Sequence, residues 1–167
     1  TQGPPRLGYS PMQIALLRWY PAIQTGNAFT VGNGPYGMAF DGAHMWVANF
    51  NDNSVTKIRV SDGYVMGTYA VGNGPVGVAF DGANIWVTNY YAATVSKLRA
   101  SDGGAVGTYA VGSGPIGVTF DGANTWVANY YSDNVTKLQA SNGSLVGTYA
   151  VGDGPRSIAF DGVHVWT

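Results

Sequence analysis

From Val31 onward the chain repeats every 40 residues, with no insertion or deletion. Residues 31–70, 71–110 and 111–150 are near copies, and a fourth copy runs from Val151 to Thr167. A fixed period of this size means that one supersecondary unit is stacked, because a unit so small cannot bury its apolar face alone. Every candidate site must therefore be read several times over, once per copy.

The copy at 71–110 breaks into four short apolar or β-branched runs: Pro75 to Phe80, Ile85 to Tyr90, Val95 to Arg99 and Val106 to Val111. Turn signals separate them. Asp81-Gly82-Ala83-Asn84 and Ser101-Asp102-Gly103 supply a glycine for positive φ and a carboxylate to cap its own turn. No helical period survives over a useful length. Four strands in an up-and-down meander every 40 residues predict an all-β fold, a β-propeller of four-stranded blades. The first two runs are apolar on both sides, as strands sandwiched between neighbouring blades should be. The third and fourth are more polar and carry Lys57, Arg59, Lys97, Arg99 and Lys137. Those cations are expected on a solvated edge that discourages strand pairing between molecules.

The segment before Val31 matches the back half of a copy. Ile14 to Arg18 aligns with Val95 to Arg99, and Asn27 to Val31 aligns with Gly107 to Val111. The reading is a propeller over 13–167, with blades 31–70, 71–110 and 111–150 and a split blade in which 151–167 is completed by 13–30. Such a blade closes the N- and C-termini together and removes open edges. Three closures are consistent with it: a four-bladed monomer, two chains sharing split blades in an eight-bladed ring, or part of a longer chain. Residues 1–12, with Pro4, Pro5 and Pro11, read as an extended leader.

Composition removes several functions. Only 10% of residues are charged and the net charge is −1, so no field gathers phosphates and nucleic acid is not an expected partner. There is no cysteine, which excludes disulfides and thiolate chemistry. No apolar run reaches the ~18 residues of a spanning helix, so no membrane span is expected. The start at Thr1 lacks signal-peptide anatomy, so an exported protein would be seen here in its mature form.

Trp86-Val87-Thr88-Asn89, in register with Trp46-Val47-Ala48-Asn49 and Trp126-Val127-Ala128-Asn129, resembles the YVTN-type β-propeller repeat. The longer GPxGxAFDGAxxWVxN pattern resembles the repeat of virginiamycin B lyase-like propellers. The resemblance covers residues 14–167. It implies a family of surface-layer and other extracellular bacterial proteins, with a minority of enzymes. For the lyase it implies a His and carboxylates around a magnesium ion on the channel face. The two histidines here, His44 and His164, both sit in the turn before a tryptophan, in the slot of Asn84 and Asn124, and match no such cluster.

Those histidines read as turn donors. Asp41, Asp81, Asp121 and Asp161 recur in every Phe-Asp-Gly and read as turn caps, since acid–base work needs two carboxylates in unlike environments. Asn51-Asp52-Asn53 and Ser132-Asp133-Asn134 hold too few oxygens for calcium and read as solvated loops. No catalytic residue, metal site or cofactor is assigned. The inter-blade linkers and the loops after the second strands should emerge on one side of the ring, bringing Asn49, Asn89 and Asn129 beside Phe50, Tyr90, Tyr91, Tyr130 and Tyr131. Aromatic rings next to amides can stack on a sugar or peptide and hydrogen-bond to it. The competing structural reading packs Trp46, Trp86, Trp126 and Trp166 between blades and ties the asparagines to loop backbone. Asp153 and Arg156 break the repeat at the channel mouth and could pair there to hold an anion or seal the ring.

The function expected is a non-catalytic, extracellular or cell-surface bacterial module for binding or scaffolding, its partner a second copy or another protein. Alternatives are a lyase-like or lactonase-like enzyme with a metal at the channel mouth and a carbohydrate-binding lectin.

Overall fold

The structure is a computed structural model that describes residues 29–167. The turn signals fall where the chain reverses. Blade 1 contains β1 (Pro35–Phe40), β2 (His44–Asn49), β3 (Ser54–Arg59) and β4 (Val65–Ala70). Blade 2 contains β5 (Pro75–Phe80), β6 (Asn84–Asn89), β7 (Thr94–Arg99) and β8 (Ala105–Ala110). Blade 3 contains β9 (Pro115–Phe120), β10 (Asn124–Asn129), β11 (Asn134–Gln139) and β12 (Leu145–Ala150). Each is an antiparallel meander in chain order. A two-stranded sheet follows, pairing β13 (Ala159–Phe160) with β14 (Val165–Trp166). The fold is the all-β propeller that the repeat predicts. The segment 13–28, expected to complete the last blade, lies outside the described residues, and Phe29 to Val31 belong to no strand.

The recurring aspartate ties each first hairpin to its tryptophan. Asp81 Oδ1 accepts the backbone N–H groups of Ala83 and Asn84, while Oδ2 accepts the Trp86 indole N–H at 2.8 Å. Asp41, Asp121 and Asp161 repeat the arrangement with Trp46, Trp126 and Trp166. The side chain at the histidine slot joins in, with His44 Nδ1 3.2 Å from Asp41. Burial works against ionisation of Asp121, but the Trp126 indole and the turn N–H groups outweigh it and hold the carboxyl at about 2. Four like carboxylates are thus bound into four turns.

Blades stack through one recurring interface. Trp46, Val55 and Tyr69 of blade 1 pack on Val78, Phe80, Ile85, Val87 and Leu98 of blade 2. Blade 2 meets blade 3 in the same way, through Trp86, Val95 and Tyr109. The inner strands approach closely at glycine: a Cβ on Gly77 would overlap the Ile116 carbonyl oxygen of the next blade. The indoles of Trp46 and Trp86 are fully buried between blades, but Trp166 is 62% exposed.

The third strands correct the sequence reading. Lys57 and Lys97 are each 3% exposed and do not form a solvated edge. Each lies opposite its tryptophan in the ladder (Trp46↔Lys57, Trp86↔Lys97) and sets its ammonium over the indole, 5.1 and 5.0 Å from the ring centroid. The ammonium then donates into the next blade, from Lys57 to Ala100 O at 2.7 Å and from Lys97 to Ala140 O at 2.6 Å. The ring face and the carbonyl replace the lost water. Lys137 sits 4.6 Å over Trp126 and is half-buried. Only the arginines keep the surface role, Arg59 pairing with Asp62 and Arg99 with Asp102 across their own turns.

Candidate functional site

The linkers and second-strand loops do emerge together. The N–H groups of Tyr90 and Tyr91 donate to Gly74 O and Asn73 O, and those of Tyr130 and Tyr131 to Gly114 O and Ser113 O. Phe50 and Asn51 do the same with Gly34 and Asn33. The linkers after blades 1 and 3 are also fastened to the preceding blade by a side chain. Asn53 Oδ1 accepts the Gly74 N–H at 2.9 Å, and Asp133 Oδ1 accepts the Gly154 N–H at 2.8 Å. The polar triplets are therefore inter-blade ties. The Tyr91 and Tyr131 rings close on Gly74 and Gly114, where a Cβ would fall 2.7 Å from the ring, and both glycines have positive φ (67° and 65°).

These constraints line up a ladder of rings along one face. Tyr36 meets Phe50 at 5.6 Å between centroids, Phe50 meets Tyr91 at 5.5 Å and Tyr91 meets Tyr90 at 5.1 Å. Tyr90 meets Tyr131 at 5.8 Å, and Tyr131 meets Tyr130 at 4.9 Å. Arg156 finishes the ladder, its guanidinium 4.6 Å over the Tyr130 ring and donating to the Tyr130 hydroxyl at 3.2 Å. Tyr36, Tyr91 and Tyr131 are 65%, 64% and 64% exposed. The neighbouring Tyr131 hydroxyl pushes the Tyr90 phenol up to about 12.

Two hollows open along the ladder. One of about 260 Å³ lies at the inner strands, lined by Tyr36, Phe50, Val76, Tyr90, Ile116 and Arg156. The other, about 500 Å³ and shallower, is lined by Tyr130, Tyr131, Asp133, Asp153, Gly154 and Arg156. The first has apolar walls with one cation, and the second sets that cation between phenols and carboxylates.

Of the residues singled out by sequence, Tyr90, Tyr91, Tyr130, Tyr131, Arg156 and Asp153 come together here. Arg156 and Asp153 share a hollow but form no ion pair; the guanidinium turns to Tyr130 instead. Asn49, Asn89 and Asn129 stand behind the face and do not line it. All three are fully buried under the linker glycines, and their amides donate inward, Asn49 to Ser54 Oγ (3.0 Å) and Thr56 Oγ1 (2.9 Å). Asn89 and Asn129 do likewise. Their amides hold the second-strand loop to the third strand, so direct ligand contact by these three is corrected to a supporting role. Phe50, expected on this face, joins the ladder, and so does Tyr36, which sequence reasoning did not place there. The available signal was that Tyr36 holds the slot of Arg156, and Phe50 that of Tyr90 and Tyr130. Among the described residues no three His, Cys, Asp or Glu side chains converge as a metal-binding group.

No protein-family model and no curated protein matches the chain. Solved structures do. Hydrazine synthase from Kuenenia stuttgartiensis superposes with TM-score 0.72 at 25% identity, over 81% of this chain and 41% of that one. Virginiamycin B lyase from Staphylococcus aureus superposes with TM-score 0.69 at 21% identity, over 83% of this chain and 50% of that one. The WD40 repeats of RRP9 superpose with TM-score 0.67 at 15% identity, over 74% of this chain and 41% of that one. The fold is thus a virginiamycin B lyase-like β-propeller, and the chain spans half or less of the length of these structures.

Proposed function

We propose that the chain is a non-catalytic binding and assembly module that engages its partner through the aromatic ladder. The observation carrying this reading is the unbroken run of seven side chains in tilted and edge-on contact from Tyr36 to Arg156, three of them nearly two-thirds exposed. A contiguous exposed aromatic surface marks an interaction site, and Tyr and Arg are the side chains that most often anchor one. The near-identical loops of blades 2 and 3 offer the same Tyr-Tyr pair twice, which suits a repetitive partner engaged at more than one point. Such a partner belongs to a bacterial cell surface or the extracellular medium, which is where the resemblance of the repeat points.

A polypeptide is the primary ligand class, because the hollow at the inner strands is apolar with a single guanidinium. Carbohydrate is the second reading, favoured by the outward rings of Tyr91 and Tyr131 above linkers carrying Asn73 and Ser113. Arrays of surface-layer peptides and of glycans, probed with the chain and with Tyr91→Ala/Tyr131→Ala, decide between them. We expect peptide binding to weaken at least about tenfold in the double variant, since an anchor tyrosine is worth more than ~1 kcal/mol. Loss confined to the glycan array would establish the lectin instead. Binding that ignores both substitutions, or a divalent ion held at the mouth by three side-chain oxygens, would overturn the proposal, the latter in favour of a lyase-like or lactonase-like enzyme.

A further inference from the structure

The loop after a blade's second strand caps two backbone N–H groups, one in the linker entering that blade and one in the linker leaving it. In blade 1, Asp52 Oδ2 accepts the Asn33 N–H at 2.6 Å and Asn53 Oδ1 accepts the Gly74 N–H at 2.9 Å. In blade 3, Ser132 Oγ accepts the Ser113 N–H and Asp133 Oδ1 the Gly154 N–H, both at 2.8 Å. Blade 2 has Ala92-Ala93 in these two slots. The corresponding donors, the N–H groups of Asn73 and Gly114, have no acceptor among the described residues. The backbone that presents them is unchanged. Tyr90 and Tyr91 still donate to Gly74 O and Asn73 O, and Ala93 keeps the left-handed φ of Asn53 and Asp133. Only the acceptors are missing. Gly114 is buried, and native chains rarely leave a buried N–H without a partner.

We infer that this notch in blade 2 takes a carboxylate from the bound partner, in the place of the missing side chains. The inference rests on the reading of the aromatic ladder as a peptide-binding face. The chain itself shows what the slots accept, since the caps on Asn33 and Gly154 are carboxylate oxygens. Charge points the same way. Asp52 and Asp133 put a carboxylate in the loops of blades 1 and 3, whereas Tyr90 to Ala93 hold none that would repel an incoming anion. Access is open, with Ala92 exposed and Ala93 half-buried. Tyr91, 64% exposed, directly precedes them and offers an aromatic contact beside the two donors. Loop N–H groups hold carboxylates well because a hydrogen bond to an ionised acceptor is roughly twice as strong as a neutral one. The ligand class narrows to a peptide with an acidic side chain or a free C-terminal carboxylate next to a residue that packs on Tyr91. Blades 1 and 3 cap themselves, so the notch also fixes where along the ladder the anion sits.

Acetate titrated into the full ¹⁵N-labelled chain tests the notch directly. We expect the Asn73 and Gly114 amide resonances to move together and saturate, with acetamide, the neutral isostere, at least about tenfold weaker. The capped Gly74 and Gly154 amides should stay still. Ala92→Asp/Ala93→Asn, which restores the blade 1 side chains, should abolish the shifts. Asp52→Ala/Asn53→Ala should open a second notch and make the Gly74 amide respond. On the peptide array, exchanging an acidic side chain for its amide, or amidating the C-terminus, identifies which carboxylate enters; one of the two changes should weaken binding at least about tenfold. Peptide binding that needs Tyr91 and Tyr131 but is unchanged in Ala92→Asp/Ala93→Asn would overturn the notch and leave the ladder standing. Acetate shifts confined to Asn73 and Gly114, with peptide binding indifferent to both tyrosines, would uphold the notch and overturn the ladder. No saturable acetate shift, or shifts that persist in the restored variant, would mean that water alone meets these donors and the inference fails.

Discussion

Ala93 adopts φ +52° in the loop after β6, in the slot that Asn53 (φ 51°) and Asp133 (φ 48°) hold in the other blades. Left-handed backbone is costly for alanine and far cheaper for asparagine, whose short polar side chain bonds locally. In the two other blades that side chain also accepts the linker N–H, Gly74 from Asn53 and Gly154 from Asp133. Blade 2 has the backbone without the bond. Ala93→Asn should supply it, to the Gly114 N–H, and stabilise the chain by about 1 kcal/mol. A thermal melt should show the gain as a rise of roughly 3 °C; no change or a fall would mean that the side chain cannot reach the linker. The same scale explains why some residues were legible and others were not. Tyr90, Tyr91, Tyr130 and Tyr131 could be placed from their position after the second strand. Asn49, Asn89 and Asn129 sit directly before them in sequence, yet strand alternation and the linker glycines turn them inward. A polar side chain beside aromatics reads as surface until its hydroxyl partners, Ser54 and Thr56 for Asn49, are seen across the ladder.

Strands and turns were the most readable elements, since Gly, Asp and β-branched runs encode them locally and three copies repeat the message. The third strand is the exception. A lysine in a run such as Val95-Ser96-Lys97-Leu98-Arg99 signals solvent, and nothing within that run says otherwise. Its burial depends on an indole on the neighbouring strand and on a carbonyl 43 residues away. Lys97→Met keeps the stem packed on Trp86 but removes both polar interactions and leaves the Ala140 carbonyl without that donor. We expect a loss of about 2 kcal/mol in urea denaturation followed by tryptophan fluorescence. Lys137→Met, at a half-buried position with no following carbonyl among the described residues, should cost distinctly less in the same assay. Equal losses at the two sites would show that the crossing hydrogen bond contributes little and that packing of the stem dominates.

For the whole molecule, the repeat turns four local carboxylates into one collective titration. Asp41 and Asp81 are held below the ordinary 3.8, and Asp121 and Asp161 lie at about 2. Burial opposes ionisation at Asp41, Asp81 and Asp121, but at each the indole and turn N–H groups prevail; at exposed Asp161 the His164 backbone N–H and Trp166 indole act largely unopposed. Each folded value lies below the unfolded one, so the stabilisation is complete above about pH 5 and is lost as pH falls through the folded values. Because all four aspartates face the same chemistry, their losses superimpose. Urea midpoints should stay level from pH 7 to about pH 5, then fall steeply towards pH 2. Asp81→Asn should be less stable at neutral pH, since an amide nitrogen facing the Trp86 N–H leaves one donor unpaired, and it should shed less stability on acidification. A wild-type curve that stays flat to pH 2 would mean the folded chain has no preference for the ionised carboxylates. The Asp–Trp ties would then be positional only, and blade cohesion would rest on the buried indoles and the crossing lysines.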